Sequence, residues 1–90
     1  MKTYCVSYDL NKSGKNYEAL YEEIKSSPGW CHALDSTWFV SSPEDANQLS
    51  ERLRKRLDED DDLLVITVSS DYAGWLASHT WDWIGKHVKT

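Results

Sequence analysis

A single carboxylate, Asp9, stands where a β-type run, Tyr4-Cys5-Val6-Ser7-Tyr8, gives way to the polar loop Asn11-Lys12-Ser13-Gly14. Loops that follow ordered elements are common places for functional groups, which makes Asp9 the first candidate for chemistry. Its ordinary structural role would be to cap the strand-to-loop turn through a side-chain oxygen. Tyr8 and Ser36 are two further polar candidates, suited to orienting a phosphate or a water molecule. Both residue types are also common purely as strand and turn residues.

Phosphate contacts need cations. Arg52, Lys55 and Arg56 fall at i, i+3 and i+4 and make the one concentrated positive patch, with Lys12 and Lys15 flanking the Asp9 loop. The plainer account of the helical group is that cations near a helix C-terminus complement its dipole and pair with nearby acids. The run Asp58-Glu59-Asp60-Asp61-Asp62 reads as a solvated loop, because successive carboxylates before a strand diverge. His32, His79 and His87 lack metal-ligand spacing, and Cys5 and Cys31 form no CxxC pair, so buried free thiols are expected. Trp30 and Trp38 can stack on bases, but in so small a protein large aromatics more often build core or interface.

The elements that position these groups follow from periodicity. Tyr17, Leu20, Tyr21 and Ile24 mark one stripe of a helix from about Lys15 to Ser26, ended by Ser27-Pro28-Gly29. Trp30 to Ser41 predicts two short strands, or one bent strand, broken at Asp35-Ser36. Ser42 as N-cap, Pro43 in the first turn and Asp45 in a capping-box return announce a second helix, with Ala46, Leu49, Leu53 and Leu57 inward as far as about Asp58. Leu63 to Val68 is an apolar run expected to be a central strand covered on both faces. Tyr72 to Leu76 suggests an edge strand, and Ser78 a cap for a last helix on which Trp81, Ile84 and Val88 align.

The resulting order, β-α-β-β-α-β, predicts an α+β, ferredoxin-like antiparallel sheet with two helices on one face. Ninety residues, 40% of them hydrophobic and including five Trp and five Tyr, suit one domain: a core over 1–69 and a Trp-rich extension over 70–90. A core this small leaves room for an interface, so a homodimer is expected, with the extension on its own sheet or on the partner. The formal charge of −5 disfavours a nucleic-acid partner. With no leader pattern and no apolar run near the roughly 20 residues of a membrane helix, a soluble cytoplasmic protein with no membrane partner is expected.

Tyr8-Asp9, Ser36-Thr37-Trp38-Phe39-Val40 and Asp62-Leu63-Leu64-Val65, in that order, resemble the pattern of the smaller of the two core CRISPR spacer-adaptation proteins and of VapD-type ribonucleases, over roughly Met1 to Ser69. Tyr8-Asp9-Leu10-Asn11-Lys12, Ser36-Thr37-Trp38 and Asp61-x-Leu63-Leu64-Val65 look closer still to stand-alone small proteins called SinR-like. The resemblance implies that Asp9 lies near a dimer axis. Two copies could then hold Mg²⁺ or Mn²⁺ for phosphodiester cleavage of RNA or DNA, with Asp9 as both catalytic and metal-binding residue. No other cofactor is implied. The alternative, favoured by the acidity, the Trp-rich tail and the scarcity of further catalytic groups, is a dimeric interaction or regulatory module with a protein partner.

Overall fold

The structure, a computed structural model, describes residues 1–88, so the last two positions of the predicted extension lie outside it. Strand β1 (Lys2–Asp9) alternates as its sequence demands. Tyr4, Val6 and Tyr8 are buried on one face, and Thr3, Cys5, Ser7 and Asp9 lie on the other. Helix α1 (Glu18–Lys25) buries Leu20 and Ile24. It starts later than Lys15, because Gly14 takes a left-handed turn (φ 78°) and the Asn16 side chain accepts the Glu18 amide (2.9 Å).

Strands β2 (Gly29–Leu34) and β3 (Thr37–Ser42) flank the Asp35-Ser36 turn, which settles the choice between two strands and one. Helix α2 (Ala46–Arg54) corrects the expected start. Asp45 is the N-cap and forms a full capping box with Gln48, while Ser42 remains in β3 opposite Lys2. Ser42 Oγ instead accepts the Glu44 amide (3.1 Å). The helix also ends before Asp58, at Arg54, where a tighter turn brings the Leu57 amide to the Arg54 carbonyl (3.0 Å).

Strand β4 (Asp62–Thr67) completes a four-stranded antiparallel sheet of order β2-β3-β1-β4. An α+β fold is thus what forms. β4 is an edge strand, however, and not the central, doubly covered one its apolar run suggested. Leu63 and Val65 pack against the core on the inner face, where α1 and α2 lie, but Leu64 and Ile66 on the outer face are 54% and 52% exposed.

Tyr72 to Leu76 forms no strand. Tyr72 stacks on Trp81 of the following helix, α3 (Ser78–His87), with ring centroids 5.9 Å apart, so the segment is held by side-chain packing in place of a ladder. Ala77, not Ser78, occupies the α3 N-cap position. α3 packs on β2, buries Thr80 and Ile84, and stacks Trp83 on Phe39 of β3. Thr3 Oγ1 donates to the His87 carbonyl (3.0 Å). The extension therefore seals part of the outer face of its own sheet and leaves the β4 side bare.

Candidate functional site

The register of β1 on β4 places Asp9 directly opposite Asp62. Both are exposed and, because side chains alternate, both project from the outer face. Ser7, Asp9, Asp62 and Leu64 line an open depression there with Tyr8 and Leu63. Ser7 and Thr37 hydroxyls meet beside it at 3.2 Å. Among the described residues no hydrogen bond or ion pair reaches the Asp9 carboxylate, so the turn-capping role is filled by something else.

That something is Asp61. Its carboxylate accepts the Tyr17 hydroxyl (2.6 and 2.8 Å), the Asn11 amide (2.7 Å) and the Asp58 amide (2.8 Å), tying the β1–α1 loop to the α2–β4 loop. Desolvation would raise the Asp61 pKa, but these donors outweigh it and hold the carboxyl below its ordinary value. Tyr17 is pushed the other way, by desolvation and by the acid it serves. The acidic run is therefore not uniformly a solvated loop: Asp61 is a partly buried clasp, and Asp62 belongs to the ladder. Asp62 is the residue the sequence reasoning passed over. The sequence shows one strand ending in Asp and another led by Asp, but it is the antiparallel β1–β4 register that sets the two carboxylates side by side.

Neither the Tyr8 hydroxyl nor Ser36 is brought to the Asp9 depression, which Tyr8 lines without turning its phenol toward it. The Tyr8 ring lies on the inner face, where its hydroxyl accepts Trp38 Nε1–H (2.9 Å) and donates to the Asp35 carbonyl (3.4 Å). Burial raises the Tyr8 pKa, and the Trp38 donor offsets part of that. Ser36 is exposed in the β2–β3 turn, with its carbonyl accepting the Tyr8 amide (3.1 Å).

The cations separate as well. Arg52 is forked onto Glu44 (3.0 to 3.3 Å), reaches Glu23 Oε2 (3.0 Å), and also donates to Ser26 and Ser27. The hydrogen bonds from Arg52 hold Glu23 and Glu44 below their ordinary pKa despite desolvation, and both acids in turn raise Arg52. Arg56 pairs with Glu23 (3.1 Å). Lys15 lies over the Tyr17 ring (5.0 Å) and within 3.5 Å of the Arg56 carbonyl. Lys12 and Lys55 are exposed. The Arg52 and Arg56 contacts are those of ion pairs that join α2 and the turn after it to Glu23 of α1 and to Glu44 just before α2, the plainer account of that patch.

Trp38 is core, 1% exposed, whereas Trp30 is 39% exposed with Lys25 over its ring. His32 stacks on Trp38 and His87 on Trp83, each at 3.9 Å. Cys31 is buried, Cys5 half-buried, and neither is bonded. Among the described residues no group of three or more His, Cys, Asp or Glu gathers as a metal site. Asp9 and Asp62 supply hard oxygen ligands of the right chemistry for Mg²⁺ or Mn²⁺, but from one copy they form only part of a coordination shell.

No family model matches this sequence, and no curated protein does. The fold is similar to that of a hypothetical protein, TT1823, from Thermus thermophilus. The two structures align with a TM-score of 0.60 at 21% identity, covering 84% of this chain and 94% of the other.

Proposed function

We propose that this protein is a ferredoxin-like interaction module that works as a homodimer, related in architecture to the CRISPR-adaptation and VapD proteins its motifs resemble. The strand order β2-β3-β1-β4, with α1 and α2 together on one face, supports the split βαβ assignment. The observation that carries the interaction reading is the bare outer side of β4. Leu64 and Ile66 stand more than half exposed on an edge strand that α3 leaves uncovered. No helix among the described residues is long and apolar enough to cross a membrane. The unbonded thiols Cys5 and Cys31 fit a reducing, cytoplasmic compartment. Light scattering on the eluting protein should give twice the chain mass. A monomer even at high concentration, together with no partner recovered from a cytosolic extract, would remove the proposal's support.

A second reading is a metal-dependent endonuclease, favoured by the cross-strand Asp9–Asp62 pair. A bound Mg²⁺ or Mn²⁺ would polarise a phosphodiester and lower the pKa of its water. Asp9 and Asp62 would hold the cation, and Lys12 is the nearest exposed cation in sequence for a substrate phosphate. Purified protein would then cut single-stranded RNA or duplex DNA with either metal, and Asp9→Ala would abolish cutting. Equal activity in the two proteins excludes Asp9 as the catalytic group.

A further inference from the structure

We propose that two copies of this chain join edge to edge through β4, antiparallel, about a two-fold axis at Val65. The inference rests on the interaction reading and names the surface it uses.

The first support is the backbone. The Val68 amide donates to the Thr3 carbonyl (2.8 Å), which sets the phase of the β1–β4 ladder. Antiparallel pairs alternate, so Ile66, Leu64 and Asp62 turn their backbone groups toward β1, and Leu63, Val65 and Thr67 turn theirs outward. β4 is the last strand on that side, and among the described residues no hydrogen bond reaches those outward groups. The opposite edge, β2, carries a register irregularity between His32 and Leu34, a device that blunts an edge. β4 is regular from Asp62 to Thr67, and between those ends it has no charge, proline or glycine to discourage pairing.

The second support is self-complementarity. An axis at Val65 pairs Leu63 with the partner's Thr67, and on the outer face sets Leu64 against the partner's Ile66, twice over. Four half-exposed apolar side chains then close on one another. The same register puts Asp62 opposite the partner's Val68. Shifting the axis to Leu64 would place Asp62 against the partner's Ile66, and shifting it to Ile66 would lose the Leu64–Ile66 contact. With a rise of about 3.3 Å per residue, the axis at Val65 also keeps the two Asp62 carboxylates roughly 20 Å apart along the seam, so the acidic ends of the two copies do not repel. Asp9 travels with Asp62. This dimer therefore does not bring two Asp9 residues together.

Sedimentation velocity over a micromolar to millimolar range tests it. The unmodified chain should dimerise reversibly with Kd on the order of micromolar, as suits a small contact. Ile66→Lys, at an exposed site, should weaken association at least about tenfold. Thr67→Pro removes one outward N–H without touching the β1 ladder and should weaken it likewise, with circular dichroism confirming that both variants fold. In a Cys5→Ser background, which removes the thiol directly opposite position 66 in the same chain, Leu64→Cys mixed with Ile66→Cys should cross-link under oxidation beyond the background set by Cys31, and neither variant should cross-link with itself. A dimer that survives both substitutions, or self-linking of Leu64→Cys alone, overturns the β4 seam while leaving a dimeric module in place. A monomeric unmodified chain overturns the seam, and with it the homodimer.

Discussion

Asp9 and Asp62 are direct partners in the β1–β4 ladder, with both carboxylates on the open outer face. Like charges so placed oppose the pairing by a few tenths to about 1 kcal/mol. Asp9→Asn removes one charge and keeps the shape, and no hydrogen bond to the Asp9 carboxylate is lost among the described residues. Urea denaturation should therefore show the variant more stable by about 0.5 kcal/mol. A loss of stability would give the carboxylate a structural role that the geometry does not contain.

The same pair sets an expectation for cations. On the metal reading, Mg²⁺ or Mn²⁺ relieves the repulsion in the folded state only, so either should raise the melting temperature of the unmodified protein, and the gain should disappear in Asp9→Asn. Equal shifts in the two proteins, read by differential scanning calorimetry at fixed ionic strength, would mean that the cations act through general screening.

Tyr8, next in sequence to Asp9, has a different job on the other side of the sheet. Its hydroxyl is the acceptor for the buried Trp38 Nε1–H. Tyr8→Phe preserves the packing and strands that donor, which should cost about 1–3 kcal/mol in urea unfolding. Any phosphodiesterase activity should be unchanged at matched folded fraction. A neutral substitution would mean that the indole N–H finds another acceptor.

The element order was legible because Tyr4, Val6 and Tyr8 alternate with polar or small residues, while Leu20 with Ile24 and Leu49 with Leu53 keep helical spacing; both are local properties. What misled was decided at a distance. Ser42 and Asp45 are both good N-caps, and the choice between them was made by β3, which keeps Ser42 paired with Lys2 and 1% exposed. The Leu63–Val68 run reads the same in a central strand as in an edge strand awaiting a partner, because hydrophobicity records burial and not what supplies it. Asp9 was visible from its place at a strand end. Asp62 and the Asp61 clasp needed the register and the meeting of two loops, which no single segment encodes.

Arg52 holds α1 to α2 by gripping Glu23 and Glu44 in a setting where all three side chains are no more than about a quarter exposed, at 24%, 18% and 25%. Removing the cation leaves two partly desolvated carboxylates facing the same gap. A fully buried pair broken in this way costs about 3–5 kcal/mol, and residual solvent screening reduces it, so Arg52→Met should destabilise by about 2 kcal/mol. A change below about 0.5 kcal/mol would show the network to be as weak as an ordinary surface pair.

Acid should dismantle the same network in a definite direction. Arg52 holds Glu23 and Glu44 below their ordinary value of 4.5, and the Tyr17, Asp58 and Asn11 donors hold Asp61 below its 3.8, against the upward pull of burial in each case. The unfolded chain therefore takes up these protons first as pH falls. The stabilisation is complete above the ordinary values and is lost as pH drops through the lowered ones. Urea midpoints of the unmodified protein should fall below about pH 4.5, whereas Arg52→Met, in which Glu23 keeps only Arg56 and Ser26 and Glu44 only Ser42 as side-chain donors, should fall less steeply through the same range. The two curves should accordingly converge in acid. A stability gap that stays constant from neutral pH into strong acid would mean that Arg52 acts through the packing of its stem, and not through the charges it holds.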